Sequence, residues 1–581
     1  MKKFIQEVHQ SHVKYVCTIA FLLRLCYVHN FFQHFLIIHF WFLVAKLFFW
    51  ISLFKFHTMP REIVTVQIGQ CGNQIGTRFW DMVLSEHAAH GTAKEGMFDE
   101  SMSCFFRNVN NTNGEEIDLP VGNGTVPISS LRARAVLVDM EEGVVNEVSK
   151  GPLGELFDTR QLVTAVSGSG NNWAHGHMEY GRQYAEDITE SIRQTVEYCD
   201  SLQSFFLMHS LGGGTGSGLG TYILGMLEDQ YSSTYRFTTA VFPSEDDDVI
   251  TSPYNSVLAI NELVQHSSCV LPIENQALMD MCSKITKTKD KGFAGTIASL
   301  RGSNRQSKSS SLIDMPPIVN KWKANNNGNS DRRSKSSHSS QRNSNSNTTK
   351  TNVKVPMDGS KPFDAMNNIA AHLLTSLTSS MRFPGALNVD LNEITTNLVP
   401  YPKLHFLMPS LSPLFGSTDL KRNMGRSVDQ MFTDAFSSKT QLIRADPKRS
   451  TYLACALLVR GQIQVSDVNR NIERMRSKIR TIYWNHDGFK VGICATPSAR
   501  KLPVELLCLA NNTVISHTFE KIHTSFSKIF NRRAHVHHYT EYMEEEQFVA
   551  AEETLVGLIN DYQSLETAKP SGAGQRIVPI I

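Results

Sequence analysis

Between Glu62 and Ser244 five short apolar runs are each closed by a turn, and helical spacing follows most of them. The first, EIVTVQI (62–68), alternates and is β-branched, which reads as a buried strand. GQCGNQIG (69–76) turns it, and TRFWDMVLSEHA continues with helical spacing. ARAVLVDM (133–140) is a second strand and ends at the acidic pair Asp139 and Glu141. QLVTAVSGSGNNWAHGH (161–177) is a third, running into a Gly/Asn loop and then a long helix with Ile188, Ile192 and Val196 on one face. QSFFLMHS (203–210) is a fourth, closed by LGGGTGSGLG and the helix TYILGMLEDQ, and FTTAVFPS (237–244) is a fifth. Strands alternating with helices have few ways to bury both. The pattern predicts an α/β fold with a parallel sheet covered on both faces and ligand loops at the strand C-termini.

The chain has 581 residues, too many for one compact core, and its length implies two to four domains. With 41% hydrophobic and 19% charged residues it is neither wholly disordered, nor collagen-like, nor a multi-span membrane protein. The net charge of +2 hides +5 in residues 1–58 and +9 in residues 301–355, which leaves −12 for the remainder. An acidic folded part argues against nucleic acid as a partner. The ten cysteines are scattered, with no CxxC spacing and no zinc pattern, as expected of reduced thiols in a cytosolic protein.

Two segments break the alternation. FLIIHFWFLVAKLFFWISLF (35–54) is long enough to span a bilayer, but Lys46 near its middle costs about 3 kcal/mol on insertion. Residues 1–58 are therefore an extension with three readings: a translated upstream region ahead of a start at Met59, an anchor, or a disordered or partner-covered arm. The first is favoured, because the strand opens directly after Met59, and a membrane role is disfavoured. Residues 303–355 are Ser/Asn/Lys-rich and bury too little to offset their ordering entropy, so a disordered insertion is expected. Order resumes with the long helix KPFDAMNNIAAHLLTSLTSSM, then mixed strands including KLHFLMPSL, YLACALLVRG and KVGICATP. Helices over 515–530 and 544–565 close the chain. The expected division is an extension (1–58), a nucleotide-binding domain (59–300), an insertion (301–360), a central helix with an intermediate domain (361–514) and a C-terminal helical region (515–581).

Gly212-Gly213-Gly214-Thr215-Gly216-Ser217-Gly218 lies between a strand and a helix. Glycines let backbone approach an anion, and the helix N-terminus presents free N–H groups to it. No Lys follows, so the loop is not a Walker A motif. It does not open the first βα unit, which weakens a dehydrogenase reading. Taken alone, the loop is equally compatible with a structural glycine turn.

LGGGTGSGLG closely resembles the tubulin signature loop, and REIVTVQIGQCGNQIG (61–76) resembles the tubulin N-terminus. VVNEV, SGSGNNWAHGH, SPYNSVLAINEL, GALNVDLNEITTNLVPYPKLHFLMPSLSP (385–413) and FNRRAHVHHY (530–539) resemble tubulin segments in the same order. The resemblance covers about 59–300 and 361–565. It implies a tubulin-type GTP-binding domain with a Rossmann-like parallel sheet. A second, mixed α/β domain follows a long central helix, and C-terminal helices complete the fold. KPFDAMNNIA, QLIRADPKRSTYLACALLVRGQI and NRNIERM have the character of the ε branch, and the C-terminus reads SGAGQRIVPII rather than a Glu-rich tail. That branch implies a cytoplasmic, cytoskeletal protein of centrioles, centrosomes and basal bodies. Its partners would be other tubulins (α/β, or δ) and centriolar proteins. A bulk microtubule subunit and a free-standing nucleotide enzyme are the competing readings.

Residue by residue, the resemblance implies a GTP/GDP site. Gly69, Gln70, Cys71 and Gln74 would line the first turn, and Asp139 and Glu141 would hold Mg²⁺. Gly170 and Asn171 would face the γ-phosphate, and Ser210 with Gly212, Gly213, Gly214, Thr215 and Gly216 would cradle the phosphates. Asn275 and Asn367 match the guanine-reading asparagines, and Phe363 replaces a stacking Tyr. Ser252 stands where tubulins place a ribose-contacting acid, and Asp248, in the run Asp246-Asp247-Asp248, is the candidate substitute. Glu393, with Asp390, matches the carboxylate loop that α-tubulin offers to the next subunit's nucleotide, so hydrolysis would need a composite site. Helix capping is the structural alternative for these acids. The cationic insertion, rooted near the guanine end, has two readings: a tolerated surface-loop expansion, which is slightly favoured, and a gate on subunit addition at that face.

Overall fold

The computed structural model describes residues 61–112, 115–121, 124–244, 247–284, 363–414, 428–500 and 502–569. The N-terminal extension, the 303–355 insertion and the C-terminal SGAGQRIVPII lie outside the described residues, and with them the expectations placed there.

The first sheet contains β1 (Glu62–Ile68), β2 (Ala135–Asp139), β3 (Leu162–Thr164), β4 (Leu202–Ser210), β5 (Tyr235–Phe242) and β6 (Cys269–Glu274). Its order is β6-β5-β4-β1-β2-β3 and every pairing is parallel. β1 lies next to centre, and all seven of its residues are buried. Val64, Val66 and Ile68 face one core and Ile63 the other, the two-residue alternation of a strand covered on both sides.

The helices divide between those faces. α1 (Gly69–His90) and α6 (Asp364–Leu377) cover the Ile63 face. α3 (Ala185–Glu197), α4 (Gly220–Gln230) and α5 (Ser252–His266) cover the other, where α10 (Ile515–Phe530) and α11 (Glu546–Thr567) pack with Phe519, Phe526, Phe548 and Tyr562. α2 (Glu142–Lys150) follows β2. The long helix expected after the Gly/Asn loop is interrupted at Tyr184, whose φ of −103° and ψ of 11° break the helical path before α3.

The second sheet comprises β7 (Gly385–Leu387), β8 (Leu407–Ser412), β9 (Thr451–Gly461), β10 (Arg480–Thr481), β11 (Phe489–Cys494) and β12 (Val504–Asn512). Its order is β7-β11-β9-β12-β8, with β10 beside β9. β9 pairs parallel with β11 and antiparallel with β12, so the sheet is mixed. Ala454, Ala456 and Leu458 join the core under α1 and α6; Cys455, Leu457 and Val459 face α8 (Val428–Ala435) and α9 (Val465–Arg476). α7 (Leu391–Leu398) sits between β7 and β8 in sequence and buries Leu391, Ile394 and Leu398.

One carboxylate ties α1 to β9 and to the short helix Ser379–Arg382 that follows α6. Glu86 of α1 is fully buried and pairs with Arg382 (2.7 Å) and with Arg460 of β9 (2.9 Å), both also buried. Burial pushes the Glu86 carboxyl up, but the two guanidiniums more than offset it and hold the group at about 2.

A second charged cluster is more exposed. His266 of α5 lies between Glu228 (2.5 Å) and Glu262 (3.3 Å). The Glu262 carboxylate, opposed by partial burial and aided by Glu228, raises its pKa to about 9. A histidine raised in the folded state contributes stability in full below its ordinary pKa and loses it as pH rises through about 9. The unfolding midpoint should therefore fall more between about pH 7 and pH 10 in the wild type than in His266→Gln. Equal falls in the two proteins would refute the linkage.

Candidate nucleotide site

All six strands of the first sheet point the same way, so their C-terminal ends form one edge. That edge collects Gly69 after β1, Asp139 at the end of β2, Gly170 and Asn171 after β3, and Ser210 with the glycine loop after β4. Asn275 follows β6 directly, at the start of a helix over 275–284.

The first turn is built by close approach. Gly69 has a φ of +70°, open to glycine at little cost, and a Cβ there would lie 3.2 Å from the Gly216 nitrogen. Asn73 Nδ2 donates to the carbonyls of Gly69 (3.0 Å) and Val138 (3.2 Å), tying the first turn of α1 to β2. Cys71 packs against the core, and burial pushes its thiol up to about 12, so it is no thiolate. Gln70 is exposed.

The glycine loop is backed by the loop after β3. The hydroxyls of Ser169 and Thr215 lie 2.9 Å apart. A Cβ on Gly214 would meet the Asn172 nitrogen at 2.6 Å, and one on Gly216 would meet the Ser210 hydroxyl at 2.9 Å. Gly170, at φ +59°, has nothing within 4 Å of its Cβ position, and Gly213 has only the Asn171 amide oxygen at 3.6 Å. Backbone is thus pressed against protein on one side and left open on the other, the shape an anion cradle requires.

Asp139 Oδ1 accepts the Glu141 N–H at 3.3 Å, while Oδ2 is buried and makes no hydrogen bond. Burial raises the Asp139 carboxyl to about 6. Glu141 folds over Gly168, where a Cβ would stand 2.3 Å from Oε1. An unsatisfied buried carboxylate oxygen beside a second acid suits a hard cation, so these residues fit Mg²⁺.

At the other end of the first turn, Asn367 Nδ2 donates to Gln74 Oε1 at 3.4 Å, and the Asn367 N–H donates to the Phe363 carbonyl at 2.8 Å. Phe363 is 57% exposed, which leaves a ring face open for stacking. Asp247 rather than Asp248 approaches the loop: its Oδ2 accepts the Ser252 hydroxyl at 2.6 Å, and that hydroxyl also reaches the Gly212 carbonyl at 3.3 Å. Asp248 is exposed.

Asn255 of α5 was not among the sequence candidates. It is fully buried, and its Nδ2 donates to the carbonyls of Asn171 and Gly212, both at 2.8 Å. Its Oδ1 accepts the Trp173 N–H (2.9 Å) and the Tyr539 hydroxyl (2.6 Å). Nearby, Asn172 Nδ2 donates to the His538 carbonyl at 2.7 Å and the Tyr254 hydroxyl to the Ala534 carbonyl at 2.7 Å. The phosphate-side loops are thereby bonded to the segment between α10 and α11. The available signal was an amide within the apolar SPYNSVLAINEL, which demands buried partners.

Asp390 and Glu393 lie elsewhere. Arg61, just ahead of β1, approaches Asp390 at 3.7 Å, so Asp390 sits near the N-terminal edge of the sheet. Seven strand residues at roughly 3.3 Å each separate that edge from Gly69, beyond the reach of a side chain. Asp390 caps α7, accepting the Glu393 N–H at 2.8 Å, the structural role considered for it. Glu393 itself is 45% exposed and pairs with Lys490 of β11 at 2.7 Å. Within one chain these acids cannot serve the glycine-loop edge.

A parallel sheet with an anion cradle and an acidic pair at its C-terminal edge, joined to a mixed second domain, defines a nucleotide-binding α/β protein. The Tubulin/FtsZ family GTPase domain matches residues 62–283, and the tubulin C-terminal domain matches residues 402–524. The chain is 48% identical over 511 residues to the curated tubulin epsilon chains of Mus musculus and Homo sapiens, covering 87% of this chain and 97% of each relative. It is 31% identical over 521 residues to the tubulin alpha-1 chain of Saccharomyces cerevisiae, covering 86% of this chain and 97% of that one. The chain belongs to the tubulin family, and it is a GTP-binding cytoskeletal protein. Its likeness to the epsilon chains exceeds its likeness to the alpha chain by 48% to 31%. Among the described residues no helix is long and apolar enough to cross a membrane.

Proposed function

We propose that the protein is a structural GTP-binding subunit of centriolar and basal-body microtubules, acting in centriole duplication or maturation, and that its GTPase site is composite. The epsilon-chain identity supports the centriolar assignment. The observation that carries the composite site is the separation of Glu393 from the glycine-loop edge, with its side chain 45% exposed near the opposite edge. Gly69, Gln70, Gln74, Gly170, Asn171, Ser210 and the 212–216 backbone would hold the nucleotide. Asn275, Asn367 and Phe363 would take the base, Asp247 the ribose side, and Asp139 and Glu141 the Mg²⁺. Bound Mg²⁺ would neutralise phosphate charge. Glu393 of one subunit would orient a water at the γ-phosphate held by its longitudinal neighbour, an α/β- or δ-tubulin.

Localising tagged protein through centriole duplication tests the cellular assignment; diffuse label along cytoplasmic microtubules would favour a conventional subunit instead. For the chemistry, Glu393→Ala should leave GTP affinity at the protein's own site unchanged. It should lower hydrolysis stimulated by α/β-tubulin by about 10²-fold or more. A loss of intrinsic GTP affinity would place Glu393 in its own site and contradict the composite arrangement.

A further inference from the structure

We infer that Lys490 is a positioning residue for the trans-acting carboxylate of Glu393; the inference rests on the composite site proposed above. Glu393 is the third residue of α7. Its backbone is fixed by the Asp390 cap, and α7 is anchored by Leu391, Ile394 and Leu398. The side chain has no such anchor, being 45% exposed with three rotatable bonds. Its partner is rigid at the base: Lys490 opposes Ala456 in the parallel β9–β11 pairing. The ammonium reaches the carboxylate at 2.7 Å and is itself 28% exposed.

Such an exposed pair adds little to stability, since solvent screens it and ordering two long side chains costs entropy. Its consequence appears when a partner covers the face. Excluding water strengthens the attraction, because Coulomb energy scales inversely with the effective dielectric. A carboxylate that must meet a water within a few tenths of an ångström is then held in one rotamer instead of several. Lys490 also cancels a charge. A lone carboxylate carried toward a polyanionic phosphate would be repelled, whereas the Glu393–Lys490 pair arrives neutral.

The test uses the full chain, GTP, and α/β-tubulin below the concentration at which it assembles alone. The readout is phosphate release beyond the sum of the separate components. Lys490→Met should lower that stimulated rate about 10- to 100-fold. It should leave the unfolding midpoint and binding of GTP by the protein's own site unchanged. Lys490→Arg should restore most of the rate, which a purely steric role would not predict. In a Glu393→Gln background Lys490→Met should have no further effect, because the lysine acts through the carboxylate. An unchanged rate in Lys490→Met, or a loss that adds fully to that of Glu393→Gln, overturns the positioning role while leaving the composite site intact. Absence of stimulation in the wild type, or full stimulation in Glu393→Gln, sinks the composite site and this inference with it.

Discussion

Replacing Asn255 by Leu is expected to cost about 2–5 kcal/mol of stability and to weaken GTP binding at least tenfold. The side chains are similar in volume, so the loss is one of hydrogen bonds rather than packing. The Trp173 N–H and the Tyr539 hydroxyl lose their acceptor, and burying each unsatisfied donor costs about 1–3 kcal/mol. The Asn171 and Gly212 carbonyls lose their shared donor, although Thr251 still reaches the former (3.1 Å) and Ser252 the latter (3.3 Å). Those carbonyls belong to the two loops that form the anion cradle, so the binding defect should accompany the stability defect. A loss of about 1.4 kcal/mol in preorganisation is tenfold in affinity. Titration with a fluorescent GTP analogue and a thermal unfolding scan together check this. Wild-type affinity in a destabilised Asn255→Leu protein would mean that the loops hold their shape without the hub.

Glu86→Gln should be at least as damaging to stability, by about 3–5 kcal/mol, without touching the nucleotide loops. The amide keeps the shape but removes the negative charge that pairs with both the Arg382 and Arg460 guanidiniums, which then repel each other in a buried space. Remaining acceptors are neutral: the Thr375 carbonyl takes Arg382 at 2.8 Å, and the Pro497 carbonyl takes Arg460 at 3.2 Å. Because the folded-state pKa of Glu86 is depressed to about 2, its contribution is present above the ordinary carboxylate range and disappears as pH falls through that value. Midpoints of urea unfolding at neutral pH would measure the effect. Equal midpoints for Glu86→Gln and wild type would show that the interface between α1 and the second domain does not depend on the ion triad.

Local pattern was enough for much of the fold. β1 over 62–68 and the helix over 515–530 have the bounds expected from alternation and helical spacing, since each period is a property of consecutive residues. The pattern implied ligand loops at the strand C-termini, and a parallel sheet does bring Gly69, Asp139, Gly170, Ser210 and the 212–216 loop to one edge; their grouping as a nucleotide site came from the tubulin resemblance. Local pattern does not single out β6 and β12, although CVLPIE and VELLCLANN are both largely apolar. Short apolar runs do not reveal their own state; β6 owes its to parallel pairing with β5, and β12 to antiparallel pairing with β9 and β8. Single side chains were hardest to read. Asp247, Asp248 and their neighbour form one acidic run in sequence, and only the path of the loop decides that Asp247 meets Ser252. Asn255 meets Asn171 and Tyr539 across 84 and 284 residues of chain. Glu393 meets Lys490 because α7 packs against β9, whose parallel neighbour β11 carries the lysine. Residue type and spacing thus determined β1 to β5 and the glycine turn between β4 and α4, while the nucleotide followed from the resemblance. Which polar groups share a partner, and which edge of the sheet carries the second acidic element, depended on tertiary packing, because hydrogen bonds and ion pairs act over about 3 Å whatever the separation along the chain.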